Sequence, residues 1–112
     1  MQQFIAERRL LYSPKGSDDR REFVIRIGAP YLVEEHMVDF PIKNGFAGCH
    51  VEIEGLSETY SEVYGADSLQ AVNLASNVEP FLKRLQKKYD LYWSSGEPYF
   101  ETLEDTHSPK SG

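Results

Sequence analysis

The sequence predicts an α+β fold, an antiparallel meander of four to five strands with one long helix, residues 67–88, packed on one face. Two patterns predict it. Before residue 65, short segments alternate apolar and polar residues, which is typical of half-buried strands. After residue 67, apolar residues recur every three or four positions, which is typical of an amphipathic helix. We therefore expect a single domain, residues 1–100, and a frayed C-terminal tail, residues 101–112.

Residues 4–12 and 21–29 predict the first hairpin. The apolar face of the second segment consists of Phe23, Ile25 and Ile27. The apolar face of the first segment is interrupted by Arg8. Residues 13–19 are rich in Pro, Gly, Ser and Asp, so we expect a loop between the two strands.

Residues 31–46 predict a long connection. Pro41 is incompatible with a central strand, and Asn44-Gly45 indicates a turn. An edge segment at residues 36–40 is the most that we expect there. Because long connections in compact domains often carry function, this segment is a candidate for a binding role.

Residues 47–54 and 58–64 predict a third and a fourth strand that are joined by a short turn. One face of the third strand presents Cys49, Val51 and Ile53, and the other presents His50, Glu52 and Glu54. In the fourth strand Tyr60 and Tyr64 share a face. Residues 91–93 predict a short fifth strand after the helix.

A capping box begins the helix. Asp67 is the expected cap, and Gln70, three residues on, is placed to reach back to the N–H of the cap. The stripe predicted to face the core is Leu69, Val72, Ala75, Val78, Leu82 and Leu85. Pro80 cannot donate a helical hydrogen bond, so we expect a kink, or a break near Asn77.

Composition limits the classes of function. The 112 residues include 18 acidic and 12 basic ones, for a formal net charge of −6. This balance argues against a nucleic-acid binder, which needs a basic surface, and suits a soluble protein or one with a basic partner. With Cys49 as the single cysteine, neither an intrachain disulfide nor a cysteine metal cluster is expected. No signal sequence or membrane span is evident, which indicates a cytoplasmic protein.

Three segments, residues 27–30, 49–56 and 64–71, resemble motifs of a family of small bacterial domains of unknown function. The Gly-Ala-Asp-Ser-Leu-Gln-Ala sequence at 65–71 is the most specific part, and residues 96–98 extend the likeness. The resemblance implies no catalytic residues. In size, charge and style the chain is also similar to bacterial immunity proteins, which neutralise a cognate toxin by binding it.

Candidate catalytic residues are few. Cys49 and His50 are neighbours on a predicted strand, so their side chains point to opposite faces and cannot form a nucleophile–base pair. His36 lies beside two glutamates, but the three histidines lack the spacing of a metal site. We therefore expect neither an enzyme nor a metal or cofactor site.

The acidic residues of the second predicted hairpin are the more informative group. Because the turn folds the strands together, we expect Glu52 and Glu54 to lie near Glu58 and Glu62. The pattern leaves three interpretations open: a solvated face, a docking surface for a basic protein, or a pair of catalytic carboxylates. The predicted partner-binding residues are Glu34, Glu35, Glu52, Glu54, Glu58 and Glu62, with Tyr60 and Trp93 as aromatic contacts.

The sequence thus predicts a non-enzymatic protein-binding domain. Its most specific version is a cytoplasmic immunity protein of a bacterium, whose acidic surface docks on the basic cleft of a toxin such as a nuclease. One alternative is a structural or regulatory domain that forms a homodimer through an exposed strand edge. A small hydrolase, with a pocket that contains His36 or His50, is a third interpretation.

Overall fold

A computed structural model describes residues 3–100 and confirms the α+β fold class. Within these residues the strands form two antiparallel sheets. The spatial order of the four-stranded sheet is β5 (Val51–Glu54), β2 (Arg21–Gly28), β1 (Phe4–Pro14) and β7 (Tyr89–Trp93). The order of the three-stranded sheet is β3 (Tyr31–Leu32), β4 (Ala47–Cys49) and β6 (Val63–Gly65). The predicted tail, residues 101–112, lies outside the described residues.

The expected meander of four to five strands is replaced by seven strands in two sheets over residues 3–100. The predicted third strand, 47–54, divides at His50 into β4 and β5, which belong to different sheets. The predicted fourth strand, 58–64, shortens to β6. The predicted first hairpin and fifth strand are confirmed as β1, β2 and β7.

A bend in a shared ribbon causes the division into two sheets. β2 pairs with β5 up to Ile27 opposite Val51, and the N–H of Gly28 donates to the carbonyl of His50 over 2.8 Å. Pairing resumes with Tyr31 opposite Gly48, after the register has moved by one residue. Pro30 has no N–H to contribute to the ladder, so the strand is interrupted beside it and turns into the second sheet.

The helix is broken near Asn77, as Pro80 predicts. α1 (Ser68–Ser76) ends at Asn77, and α2 (Glu79–Leu85) carries Pro80 in its first turn, where no helical N–H is needed. The second helix ends at Leu85 rather than near Lys88.

The predicted cap of α1 is confirmed, with one difference. Asp67 accepts a hydrogen bond from the N–H of Gln70 over 2.9 Å. The side chain of Gln70 accepts from the N–H of Ala66 over 2.6 Å, one residue before the cap itself. Both bonds satisfy backbone donors at the point where the chain leaves β6.

The core lies between the sheets and the two helices. Its buried members are Leu10, Phe23, Ile25, Ile27, Ala47, Cys49, Val51, Ala71, Ala75, Val78, Phe81, Leu82, Leu85 and Leu91. The prediction was wrong for Leu69, which is 78% exposed. The buried side of α1 is instead centred on Ala71 and Ala75, and Val72 is half-buried beside them. Small residues face the sheet because α1 approaches it closely.

Gly65 shows how close this approach is. A Cβ atom at this position would lie 2.6 Å from the backbone nitrogen of Ala71. Only glycine fits between β6 and the first turn of α1 without moving backbone. Among the described residues, no helix has the length and apolar character needed to cross a membrane.

Candidate partner-binding surfaces

The outer face of the four-stranded sheet places glutamates from three strands around two arginines. We call this set, Glu7, Glu22, Glu52, Glu54, Arg9 and Arg26, the arginine-bridged face. Arg26 lies 3.3 Å from Glu7 and 3.6 Å from Glu52, and it also bonds Glu54. Arg9 lies 2.8 Å from Glu7 and 3.5 Å from Glu22.

Arg26 therefore neutralises glutamates for which the sequence alone indicates no partner. Its hydrogen bond and positive charge lower the pKa of Glu54, and the same carboxylate raises the pKa of Arg26. Glu52 and Glu54 are brought together, as expected, but on one shared cation from β2. A basic partner that docked there would have to compete with Arg26 for these carboxylates.

The other two predicted glutamates of this group bind different partners. Glu58 accepts from the ammonium of Lys88 over 3.0 Å. Glu62 lies 2.5 Å from Nδ1 of His50 and accepts the hydroxyl hydrogen of Tyr31. The structure thus distributes the four carboxylates over three separate sets of contacts.

The cluster of Tyr31, His50 and Glu62 joins β3, the bend and the residue before β6. Burial, followed by the contact with Glu62, raises the pKa of the Tyr31 hydroxyl, which therefore stays protonated and donates. A carboxylate that holds Nδ1 of a histidine can prepare Nε2 for proton transfer.

Cys49 is not placed to act as a nucleophile with His50. The thiol of Cys49 is buried and directed to the carbonyl of Gly28, 3.1 Å away. Burial and the charge of Glu62 raise the thiol pKa, which disfavours the reactive thiolate. The clefts described below are lined by neither His36 nor His50. Within residues 3–100, no three His, Cys, Asp or Glu side chains are grouped so as to hold a metal ion.

The two predicted aromatic contacts lie in different environments. Tyr60 packs edge-on against Phe81, with ring centroids 5.0 Å apart, and belongs to the margin of the core. Trp93 is 41% exposed, and its ring lies 4.7 Å from that of Tyr99 and 5.5 Å from the guanidinium of Arg8.

The same cluster explains why Arg8 interrupts an apolar face. Its guanidinium donates to the hydroxyl of Tyr99 over 2.7 Å and lies 3.2 Å from Glu79 on α2. Tyr99 also donates to Glu79. Arg8 is thus satisfied at the open end of the core by partners that are distant in sequence.

The connection from 31 to 46 carries the remaining predicted glutamates. Glu34 and Glu35 are exposed at a short 3-10 helix, Glu35–Met37. Glu34 lies 3.5 Å from His36, whereas Glu35 forms no ion pair with any described residue. Exposed apolar side chains accompany them, with Leu32 66%, Met37 50% and Phe40 42% exposed.

Three aromatic rings support this segment. Phe46 stacks on Tyr64 of β6, with centroids 5.7 Å apart and planes 12° apart. Phe40 meets both rings edge-on, at 5.9 Å from Phe46 and 6.0 Å from Tyr64. We call these residues the aromatic triangle. Strand pairing holds residues 31–32 of the connection, as β3, and not the expected edge segment at 36–40. The triangle fixes the later part of the connection to the three-stranded sheet.

Three neighbouring clefts cross this end of the molecule. The central cleft, of 520 Å³, is lined by Pro41, Ile42, Lys43, Asn44, Phe46, Tyr64, Gly65, Ala66 and Gln70. A second, of 330 Å³, shares Ile42, Lys43 and Asn44 and extends to Leu32, Glu34 and Glu35. A third, of 610 Å³, shares Gln70 and follows α1 past Asp67, Leu69, Val72, Asn73 and Ser76. We call the three together the acidic-end groove.

Sequence reasoning missed the apolar part of this groove. Phe46 and Leu69 line it and were not predicted as surface residues. The aromatic residues in a segment without strand alternation were the available signal for Phe46. A scan against family models gives no match for the chain, and comparisons with curated proteins and with solved structures give none either. The resemblance carried by residues 65–71 therefore stays a prediction.

Proposed function

We propose that this chain is a non-enzymatic protein-binding domain, and most specifically a cytoplasmic immunity protein that neutralises a cognate bacterial toxin. The observation that carries the proposal is the pair Glu34 and Glu35, which are exposed and have no Lys or Arg partner among residues 3–100. Carboxylates that have no Lys or Arg partner and lie beside exposed apolar side chains are suited to a basic protein surface.

The proposed mechanism has two steps. The net negative charge attracts the basic active-site cleft of the toxin and raises the rate of encounter. Apolar contacts around the carboxylates then hold the complex and exclude the substrate from the cleft of the toxin. The domain needs no reaction of its own for this function.

A capture experiment tests the function. Tagged protein is incubated with its native lysate at moderate salt, and the bound material is identified by mass spectrometry. We expect one basic polypeptide in stoichiometric amount, whose toxic activity is suppressed when the two chains are expressed together. With the purified polypeptide, the association rate should fall as salt is added, because screening weakens steering.

Charge reversal locates the acidic surface. In a Glu34→Lys/Glu35→Lys variant we expect markedly slower association with the captured polypeptide. The matched control, Asp18→Lys/Glu97→Lys, changes the net charge equally at exposed sites outside the connection. An empty capture, an association rate that is insensitive to salt, or equal effects of the two variants would count against the proposal.

A homodimer remains the second candidate, because one strand edge is open. β7 pairs with β1 from Leu10 onward, so within the described residues the preceding part of β1 pairs on one side with β2 and lacks a strand on the other. Sedimentation over a range of concentrations tests this candidate. A stable dimer would favour it, and a monomer at all concentrations would exclude it.

A further inference from the structure

We propose that the acidic-end groove binds a lysine- or arginine-rich segment of the partner protein and seats an apolar side chain of that segment beside Leu69 and the aromatic triangle. This inference rests on the proposed function and specifies which surface performs it. It places binding at one end of the molecule rather than on the arginine-bridged face.

Continuity of the groove is the first argument. The central cleft shares Ile42 to Asn44 with the cleft toward β3, and shares Gln70 with the cleft along α1. A bound segment could therefore contact the connection, β6 and α1 at once. The central cleft, at 520 Å³, is large enough for a side chain of any size.

The second argument is the exposure of apolar residues that the fold does not use. The residues around Leu69 have roles in the fold. Gly65 leaves room for the first turn of α1, Asp67 and Gln70 cap the helix, and Ala71 is buried. Leu69 itself is 78% exposed and lines the groove. Leu32 is 66% exposed and lines the cleft toward β3, so each of the two flanking clefts presents an exposed leucine, the kind of residue that marks interaction sites when it lies in a groove.

Charge decides between occupants. Three carboxylates that line the groove, Glu34, Glu35 and Asp67, face one ammonium among its described lining residues, that of Lys43. A basic segment complements this surplus. A second copy of the chain would instead bring the same carboxylates toward each other, which is unfavourable at a symmetric interface.

A defined peptide tests the groove without knowledge of the natural partner. A synthetic lysine-rich peptide with a central Leu-Trp pair is titrated into the isotopically labelled full chain, and amide resonances are followed by NMR. The control peptide has the same charge, with Ser-Ser in place of Leu-Trp. We expect shifts of residues 42–46 and 64–73 with the first peptide, and much weaker binding of the second.

Two leucine variants separate groove binding from general attraction to an acidic protein. Leu69→Ser should weaken binding of the Leu-Trp peptide roughly tenfold, since an apolar contact is lost. Leu74→Ser is the matched control, because Leu74 is also exposed on α1, at 47%, but lies outside the three clefts. It should leave the affinity unchanged.

Other outcomes would overturn the inference in identifiable ways. Equal weakening by both leucine variants, or no binding, would exclude the groove. Shifts centred on Glu52 and Glu54 would move binding to the arginine-bridged face and leave the proposed function intact. Shifts of the groove residues that grow with protein concentration, without peptide, would identify a second copy as the occupant.

Discussion

The arginine-bridged face and the acidic-end groove both present glutamates, but their charges are balanced differently. On the face, Arg26 contacts three carboxylates, from Glu7, Glu52 and Glu54. In the groove, Glu35 has no ion-pair partner within residues 3–100. A count of acidic residues therefore does not locate a docking surface. What matters is whether the fold itself supplies the cation.

The largest effect on stability is expected from replacing Gly65, the glycine that lines the acidic-end groove. Gly65→Ala would place a Cβ 2.6 Å from backbone of α1, so strand or helix must move. We expect a loss of about 1–3 kcal/mol in the free energy of unfolding. Urea denaturation measures it, with Gly48→Ala as control. There the nearest atoms belong to the ring of Tyr31, which can move, so the loss should be smaller.

Replacement of Arg26, which bridges the glutamates, tests the arginine-bridged face. Arg26→Met should lower the thermal midpoint at pH 7, because three carboxylates lose their shared partner. Arg26 lowers the pKa of Glu54, so this stabilisation is present above the ordinary carboxyl pKa and is lost as the pH falls through the lowered value. Wild type should therefore lose more stability than the variant between pH 7 and pH 3.

The matched control for this change is Lys83→Met, which removes an exposed cation of α2 that forms no ion pair with a described residue. Thermal unfolding followed by circular dichroism over the same pH range is the measurement. Identical pH profiles for wild type and Arg26→Met would show that the arginine does not hold the face together.

A smaller effect is expected at two tyrosines outside both regions, Tyr99 and Tyr31, whose hydroxyls donate to glutamates. Burial and the bond to Glu79 raise the pKa of Tyr99 to about 12, from an ordinary value of 10.0. The folded protein keeps this phenol neutral while the unfolded chain ionises, so stability falls between pH 10 and about 12. Tyr99→Phe should reduce that decline and cost about 1–2 kcal/mol at neutral pH, as two hydrogen bonds are lost, one accepted from Arg8 and one donated to Glu79.

Absorbance titration of the phenols checks this assignment. The Tyr99→Phe variant should lack one late-ionising group, and Tyr31→Phe provides a comparison in the three-stranded sheet, where burial and contact with Glu62 raise the pKa of Tyr31. If the alkaline limb of the titration is the same in Tyr99→Phe as in wild type, the proposed environment of Tyr99 is wrong.

The smallest effect on stability is expected for Leu69→Ser. Because Leu69 is 78% exposed, its replacement should change the free energy of unfolding by no more than about 0.5 kcal/mol. Urea denaturation is again the measurement. A loss of several kcal/mol would mean that Leu69 supports the core and would remove it from the binding surface.

Local patterns predicted the elements better than their assembly. The helix cap at Asp67, the break before Pro80 and the buried face of β2 depend on neighbouring residues, and all are present in the structure. The two sheets were missed because the bend depends on pairing between Gly28 and His50, which are distant in sequence. Leu69 was assigned to the core because helical spacing alone does not show which part of the apolar stripe of α1 packs against the sheet.

The candidate surfaces show the same limit. Glu34 and Glu35 were predicted as partner-binding residues and lie exposed. Glu52 and Glu54 were predicted in the same way, but they form ion pairs with Arg26 on the neighbouring strand β2. Ion pairs across strands require the register, which the sequence did not supply. The aromatic triangle likewise joins Phe40 and Phe46 to Tyr64, which follows only after β4 and β5 along the chain.

The bent ribbon that passes from one sheet to the other has a consequence for cooperativity. Before Gly28, β2 pairs with β5, and after it β3 pairs with β4. Opening of one sheet therefore strains the junction at Gly28 that the other sheet shares. A ligand held at one end would then slow amide exchange in both sheets, since it stabilises the closed state of the whole ribbon. The Gly28 amide, at the joint, is the natural reporter of whether the two halves open together.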